Sequence, residues 1–96
     1  MAELRIHSGA DDDFLESYLW YANQSQWAAE RFEKQVKLAF NKIAADPLGG
    51  TAYNETYRFH SLPNYPHLVV YRITADVVTI LAIYHPSRDD AYWQTR

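Results

Sequence analysis

The segment 84–93, "YHPSRDDAYW", places a histidine, an arginine, two aspartates and a tryptophan directly after a strongly apolar run. Histidine exchanges protons near neutral pH, and the arginine fork binds phosphate or carboxylate. His85 and Arg88 of this segment could act together with three cations that precede them: Arg58, His60 and Arg72. Such a set would suit a phosphate group, an acidic protein surface, or RNA cleavage through attack by a 2′-hydroxyl.

Side-chain alternation along the strands decides which of these cations can meet. In the strand predicted over 55–62, Arg58 and His60 point to one face, and the aromatic residues between them point to the other. If this strand neighbours the next two, the five cations could converge on one side of the sheet. The simpler alternative, favoured on the residues alone, is that each cation lies on a polar face or pairs with an acid such as Glu55, Asp76 or Asp89.

The first half of the chain predicts one strand and two helices. Residues 3–7 alternate polar and apolar as a short strand does, and apolar residues at helical spacing predict helices over 12–23 and 26–45. Pro47 and the glycines that follow it end the second helix. Because the link between the helices is so short, they should form an antiparallel hairpin. The expected apolar stripe of the first helix is Phe14, Leu15, Tyr18, Leu19 and Ala22.

The second half of the chain has the period of β-structure. Strands are predicted over 55–62, 66–73 and 77–84, with 74–76 as a tight hairpin link. The last two strands are apolar on both faces, which is typical of central strands, or of a sheet covered by helices on one side and by a partner on the other. The order β-α-α-β-β-β predicts a single α+β domain over 1–96, with a helical hairpin packed on a mainly antiparallel sheet.

Composition narrows the function classes. A net charge of -3 argues against a general polyanion binder, and the absence of cysteine excludes disulfides and thiolate catalysis. No apolar run reaches the ~20 residues of a membrane span, and the first residues lack the character of a signal peptide, so we expect a cytoplasmic protein. The four histidines lack metal-ligand spacing, and no nucleotide-binding fingerprint is present. We therefore expect no metal and no cofactor.

Aromatic and acidic residues outside these motifs have structural interpretations. Trp20 and Trp27 flank the break between the helices and are expected to pack within the hairpin. Tyr92 and Trp93 are expected to cover the sheet edge, although an exposed Trp93 would make a good partner contact. The acidic run 11–13 is expected to be a charge cluster at a helix N-terminus rather than a metal site.

Several stretches taken in order resemble a known family, the RelE/ParE superfamily of toxins from bacterial type II toxin–antitoxin systems, often labelled plasmid stabilisation proteins. The resemblance runs from about residue 4 to 93 and implies the same β-α-α-β-β-β layout. It also implies an antitoxin whose C-terminal segment packs on the helical hairpin and sheet, giving a toxin–antitoxin hetero-oligomer. The stretches are "LESYLWY" (15–21), "AERF" (29–32), "IAADPLGG" (43–50), "YRFHSLPNYPHLVVYRI" (57–73) and "ILAIYHPSRD" (80–89).

Two activities occur in this superfamily: RelE-type members cut messenger RNA on the ribosome, and ParE-type members poison DNA gyrase. The acidic net charge and the endings "VVYRI" and "HPSRD" followed by an aromatic pair resemble the ParE branch more closely. We therefore expect a gyrase inhibitor whose contacts to gyrase or antitoxin come from Arg58, His60, Arg72, His85, Arg88 and Trp93.

The alternative is a ribosome-dependent endonuclease, with His85 as acid or base and Arg58 or Arg72 stabilising the phosphate. His67 stands where nuclease relatives carry arginine, which weakens that alternative. A third alternative is a non-toxic remnant that still binds antitoxin. Pro86 and Asp90 depart from the pattern of the family, so the path of segment 84–93 is the least certain part of the resemblance.

Overall fold

The computed structural model describes residues 1–88 and 91–96, and it confirms the α+β fold. The elements are β1 (Glu3–Ile6), α1 (Ser8–Ala22), α2 (Gln26–Ala45), β2 (Thr51–Ala52), β3 (Tyr57–Ser61), β4 (Leu68–Thr74) and β5 (Val77–Tyr84), with 3-10 helices at Pro47–Gly49 and Tyr92–Thr95. The two helices pack on a five-stranded sheet of order β1-β5-β4-β3-β2, in which every pair of neighbours is antiparallel except β1 and β5. The two-residue strand β2, which the sequence did not indicate, extends the sheet at one edge.

Helix α1 begins four residues earlier than predicted. His7 is its N-cap, and its Nδ1 accepts a hydrogen bond from the Gly9 N–H at 2.9 Å, a role more often filled by Ser, Thr, Asp or Asn. The buried positions of the helix are Ala10 and Asp13, so the predicted stripe is partly wrong. Four apolar side chains expected inside are instead largely exposed: Leu15 (52%), Leu19 (53%), Trp20 (59%) and Trp27 (68%).

Helix α2 follows its predicted pattern. Ser25 caps it by accepting the Ala28 N–H at 3.0 Å, and Phe32, Val36 and Ile43 lie buried against the sheet. The helical hairpin therefore covers one face of the sheet, which we call the front face.

A bulge in β5 explains why its apolar run is continuous. Val70 pairs with Ala82, whereas the next residue of β4, Tyr71, pairs with Ile80, so Leu81 is the extra residue. An extra residue reverses the side-chain alternation beyond it. Ile80 and Ile83 consequently both pack on the front face, and Ala82 packs on the opposite face, which we call the back face.

The chain itself covers part of the back face. Trp93, in the 3-10 helix Tyr92–Thr95, is 4% exposed and packs with Val70 and Ala82. Trp93 therefore covers a face of the sheet rather than its edge, and Tyr92 packs against the same cluster. The two-sided apolar character of β4 and β5 is in this way satisfied within one chain, by the helical hairpin in front and this short helix behind.

Candidate functional site

The five cations do not converge on one side of the sheet, which agrees with the preference given above to separate placement. Arg58 pairs in register with Tyr71, a core residue of the front face, and Tyr57 pairs with Arg72. Residues paired across neighbouring strands point to the same face. Arg58 and His60 therefore project on the front side, and Arg72 projects on the back side.

These three residues bond to backbone carbonyls. Nη1 of Arg58 donates to the Gly50 carbonyl at 2.9 Å and the Leu48 carbonyl at 3.3 Å, which ties β3 to the segment after α2. Nη1 of Arg72 donates to the carbonyl of Arg96 at 3.2 Å. Nδ1 of His60 donates to the carbonyl of its neighbour, Ser61, at 2.9 Å. Their observed contacts stabilise the fold.

His85 and Arg88, by contrast, meet at a cavity beside α1. The cavity has a volume of about 490 Å³ and lies between the second half of α1, the residues before β4 and the residues after β5. We call it the α1 cavity. Its principal lining residues are Ser17, Trp20, Tyr21, His67, His85 and Arg88.

His67 forms the buried wall of the α1 cavity. It is 3% exposed, its Nε2 lies 3.2 Å from Ser17 Oγ, and its ring stands perpendicular to that of His85 with 4.9 Å between centroids. Its Nδ1 has no hydrogen-bond partner among the described residues. Burial, and secondarily the charge of His85, lowers the pKa of His67 to about 4. His67 is therefore neutral at pH 7 and a weak base.

His85 opens a tight turn. Its carbonyl accepts the Arg88 N–H at 3.0 Å, and its Nδ1 accepts the Ser87 N–H at 3.0 Å, so the neutral ring carries its proton on Nε2. Pro86 occupies the second position of this turn, where its fixed φ is favourable. The unusual Pro86 therefore fits the local backbone. Asp90, the other departure from the family pattern, lies outside the described residues, as does Asp89.

Asp13 is a buried carboxylate next to the site, and the sequence did not identify it as a candidate residue. It is 6% exposed, and its Oδ2 accepts hydrogen bonds from the Ile83 N–H at 3.2 Å, the Tyr92 hydroxyl at 3.0 Å and Arg96 Nη1 at 2.8 Å. The hydrogen bond to Asp13 raises the pKa of Arg96. Burial, then the Asp13 charge, raises the pKa of Tyr92. Within the acidic run 11–13, which was expected to be a charge cluster at a helix N-terminus, Asp13 is thus a buried hydrogen-bond acceptor.

Asp13 and Arg96 together replace a missing strand. Strand β1 ends at Ile6, opposite Ile80, so β5 continues past it without a neighbour on that side. Arg96 Nη1 donates to the Leu81 carbonyl at 2.8 Å, while Asp13 accepts the Ile83 N–H. These side chains satisfy backbone groups that β1 leaves open. No sequence signal identified Asp13, because the burial of Ala10, three residues earlier on the same helix face, is itself known only from the structure.

Trp93 is not an exposed anchor. Its ring packs edge-on against Tyr53 and Tyr57, with centroids at 5.3 and 4.9 Å, and its Nε1 has no hydrogen-bond partner among the described residues. Arg88 contacts the 3-10 helix that contains Trp93, because its guanidinium lies 4.0 Å from the Tyr92 ring centroid. The same guanidinium lies 4.0 Å from Asp13 Oδ1. The side chain of Arg88 is still 46% exposed, so it remains available for contact.

Two kinds of feature are absent from the described parts of the chain. Residues 1–88 and 91–96 contain no group of three or more His, Cys, Asp or Glu side chains placed to hold a metal ion. Neither of the long helices in these ranges combines the length and apolar character that crossing a membrane requires.

The fold of this chain occurs in a toxin–antitoxin system of known structure. It is shared with a chain of a solved structure titled "Chromosomal ParDE TA system from P. aeruginosa", with a TM-score of 0.67 over 88% of this chain and 96% of that chain, at 20% identity. A family model described as "ParE toxin of type II toxin-antitoxin system, parDE" matches residues 4–90. The chain belongs to this ParE toxin family, which confirms the resemblance seen in the sequence.

Curated relatives agree with this assignment. The chain is 29% identical over 83 residues to "Toxin ParE2" from two strains of Mycobacterium tuberculosis, CDC 1551 / Oshkosh and ATCC 25618 / H37Rv. The match covers 85% of this chain and 79% of each relative. Membership of a ParDE-type family implies an antitoxin partner.

Proposed function

We propose that this chain is a cytoplasmic toxin that inhibits DNA gyrase and is neutralised by a cognate antitoxin in a hetero-oligomer. The observation that carries the proposal is the ParE family match over residues 4–90. The net charge of -3 is consistent with it, because a ribosome-bound nuclease would rely on many phosphate contacts.

The separation of the cations also favours gyrase inhibition over RNA cleavage. The endonuclease alternative needs His85 near Arg58 or Arg72, yet Arg58 bonds to carbonyls on the front side and Arg72 projects on the back side. His67, next to His85, is a poor proton acceptor. Of the residues first considered as contacts, His85 and Arg88 are the pair that meet at one surface. We assign the gyrase contact to them.

The antitoxin contact is assigned to α1. Leu15, Leu19 and Trp20 are each more than half exposed. The i,i+4 spacing of Leu15 and Leu19 places those two side by side on the helix, and Trp20 follows Leu19 directly in the chain. We call these three residues the α1 stripe. Contiguous exposed apolar side chains mark interaction surfaces, and a helical stripe of this kind suits the apolar face of a partner segment.

A supercoiling assay tests the proposal. Purified toxin should stop gyrase from supercoiling relaxed plasmid and should trap cleaved DNA, and the antitoxin encoded beside the toxin gene should reverse both effects. Replacing both His85 and Arg88 by alanine should reduce inhibition at least about 10-fold, the effect of losing one good contact. Arg5→Ala, at a cation that is also exposed, is the matched control.

Three outcomes separate the hypotheses. Inhibition of gyrase supports the proposal. Unaffected supercoiling with cleavage of translated messenger RNA would establish the endonuclease alternative instead. Antitoxin binding without either activity, together with normal growth of cells that express the toxin alone, would show that the chain is a non-toxic remnant.

A further inference from the structure

We propose that the α1 cavity anchors one aromatic side chain of the antitoxin, a tryptophan or a tyrosine, inserted from a segment that lies along the α1 stripe. The inference rests on the proposed antitoxin contact and specifies which part of that contact contributes most to the binding affinity. It also gives neutralisation a physical basis, because an occupant of the α1 cavity would cover His85 and Arg88, the residues assigned to gyrase.

The walls of the α1 cavity suit a flat apolar group. Trp20 and Tyr21 stand edge to face, with 5.0 Å between ring centroids, and Pro66 contributes another apolar surface. The volume of about 490 Å³ falls within the roughly 300–1,000 Å³ typical of ligand pockets. Aromatic side chains gain most from such walls, since they bury a large area and prefer edge-to-face contact with other rings.

The polar residues that line the cavity specify an aromatic group that also carries a polar atom. Indole N–H and phenol O–H groups usually find a hydrogen-bond partner when they are buried. Glu16 and Ser17 line the cavity and carry acceptor oxygens. An indole N–H or a phenol O–H entering the cavity could donate to one of these oxygens, whereas a leucine or phenylalanine could not.

The cavity is continuous with the α1 stripe, because Trp20 belongs to both. A partner helix or extended segment on Leu15 and Leu19 would therefore lie close to the rim of the cavity. Arg88 on the β5 side of the rim favours an acidic neighbour for the anchor, and Glu16 on the α1 side favours an N–H donor or a basic one.

The first test compares two exposed tryptophans. Antitoxin affinity is measured by calorimetry for the wild type, Trp20→Ala and Trp27→Ala. Trp27 is also largely exposed but lies on α2, outside the α1 cavity. Loss of a wall of an anchor pocket should weaken binding about 30-fold or more, as at interface hot spots, and the Trp27 variant should stay within about threefold of the wild type. Equal losses in both variants would contradict the inference.

The second test fills the cavity without altering α1. Ser87 is exposed and lines the cavity, so Ser87→Trp should place an indole in it and weaken antitoxin binding at least about 30-fold. Ser61→Trp, at an exposed serine of β3 that does not line the cavity, is the control. Thermal unfolding of each variant verifies that it is folded. In a 5-fluorotryptophan-labelled toxin, the Trp20 resonance should shift on antitoxin binding and the Trp27 resonance should not.

The outcomes distinguish this inference from the proposed function. If antitoxin binds the folded Trp20→Ala and Ser87→Trp variants as tightly as the wild type, the anchor is elsewhere and the inference is wrong, although gyrase inhibition and its neutralisation stand. If antitoxin does not bind the wild type at all, the proposed antitoxin contact itself fails.

Discussion

Acid should destabilise this toxin through His67. The pKa of His67 is lowered from 6.5 to about 4 in the folded chain, so between these values the unfolded chain binds a proton that the folded chain does not. Stability from this residue is therefore fully present above pH 6.5 and is lost as the pH falls toward 4. His67→Gln removes the titration, while its amide can still bond to Ser17.

The size of the effect follows from the two pKa values. The gap between 6.5 and about 4 corresponds to a limit of about 3 kcal/mol, at 1.36 kcal/mol for each pH unit. Because the proton is bound progressively, about 2 kcal/mol of this should be lost between pH 7 and pH 5. His67 is 3% exposed but lines the α1 cavity, so solvent screening makes these values upper limits.

Urea unfolding at pH 7, 6 and 5 measures the effect. Carboxylates also titrate in this range, but their contribution cancels when the wild type and His67→Gln are compared. The wild type should lose about 2 kcal/mol more than the variant on going from pH 7 to pH 5. His60→Gln, at a histidine that is not buried, is the control and should follow the wild type. Parallel pH profiles for the wild type and His67→Gln would refute the reasoning.

Two further substitutions test the packing that holds the site. Asp13→Asn breaks a buried ion pair and should lower the free energy of unfolding by about 3 kcal/mol. Asp12→Asn, on the exposed side of the same helix, is the control and should lower it by under about 0.5 kcal/mol. Denaturant unfolding of both variants measures the difference. Gly50→Ala would drive its methyl group into the Tyr71 hydroxyl and should lower the free energy of unfolding by about 1–3 kcal/mol. Gly49→Ala meets only a flexible aspartate side chain and should lower it by less. Thermal unfolding compares the two variants, and equal losses of stability would contradict the packing argument.

The fold could be predicted from the sequence because each element carries its own period. Helix α2 and strands β4 and β5 lie close to the predicted ranges, since apolar spacing and the breakers between elements are local signals. The rotation of α1 was not predictable in the same way. Its capping residue is a histidine and one of its two buried positions is an aspartate, so the most apolar stripe, which includes Leu15 and Leu19, is not the buried one.

The grouping of the candidate site residues could not be predicted from the individual strands, because it depends on the register between them. Alternation correctly placed Arg58 and His60 on one face of β3, but Arg72 belongs to another strand, and the register between strands is set by the connection 62–67. Asn64 adopts a left-handed φ of 69° there. A shift of one residue in that register would exchange the faces. The bulge at Leu81 could not be predicted either, because a continuous apolar run gives the same sequence pattern with or without an extra residue.

The bonds of Asp13 also make the order of synthesis matter. This residue lies in the first helix, yet its partners are Ile83, Tyr92 and Arg96, 70 to 83 positions later. A ribosome adds about 5–20 residues per second, so the hydrogen-bond partners of Asp13 are synthesised several seconds after Asp13 itself. Until residues 92–96 emerge, a nascent toxin holds an unpaired carboxylate, an open stretch of β5 and an uncovered back face. Closure of this edge and of the back face is therefore a late event in the synthesis of the chain.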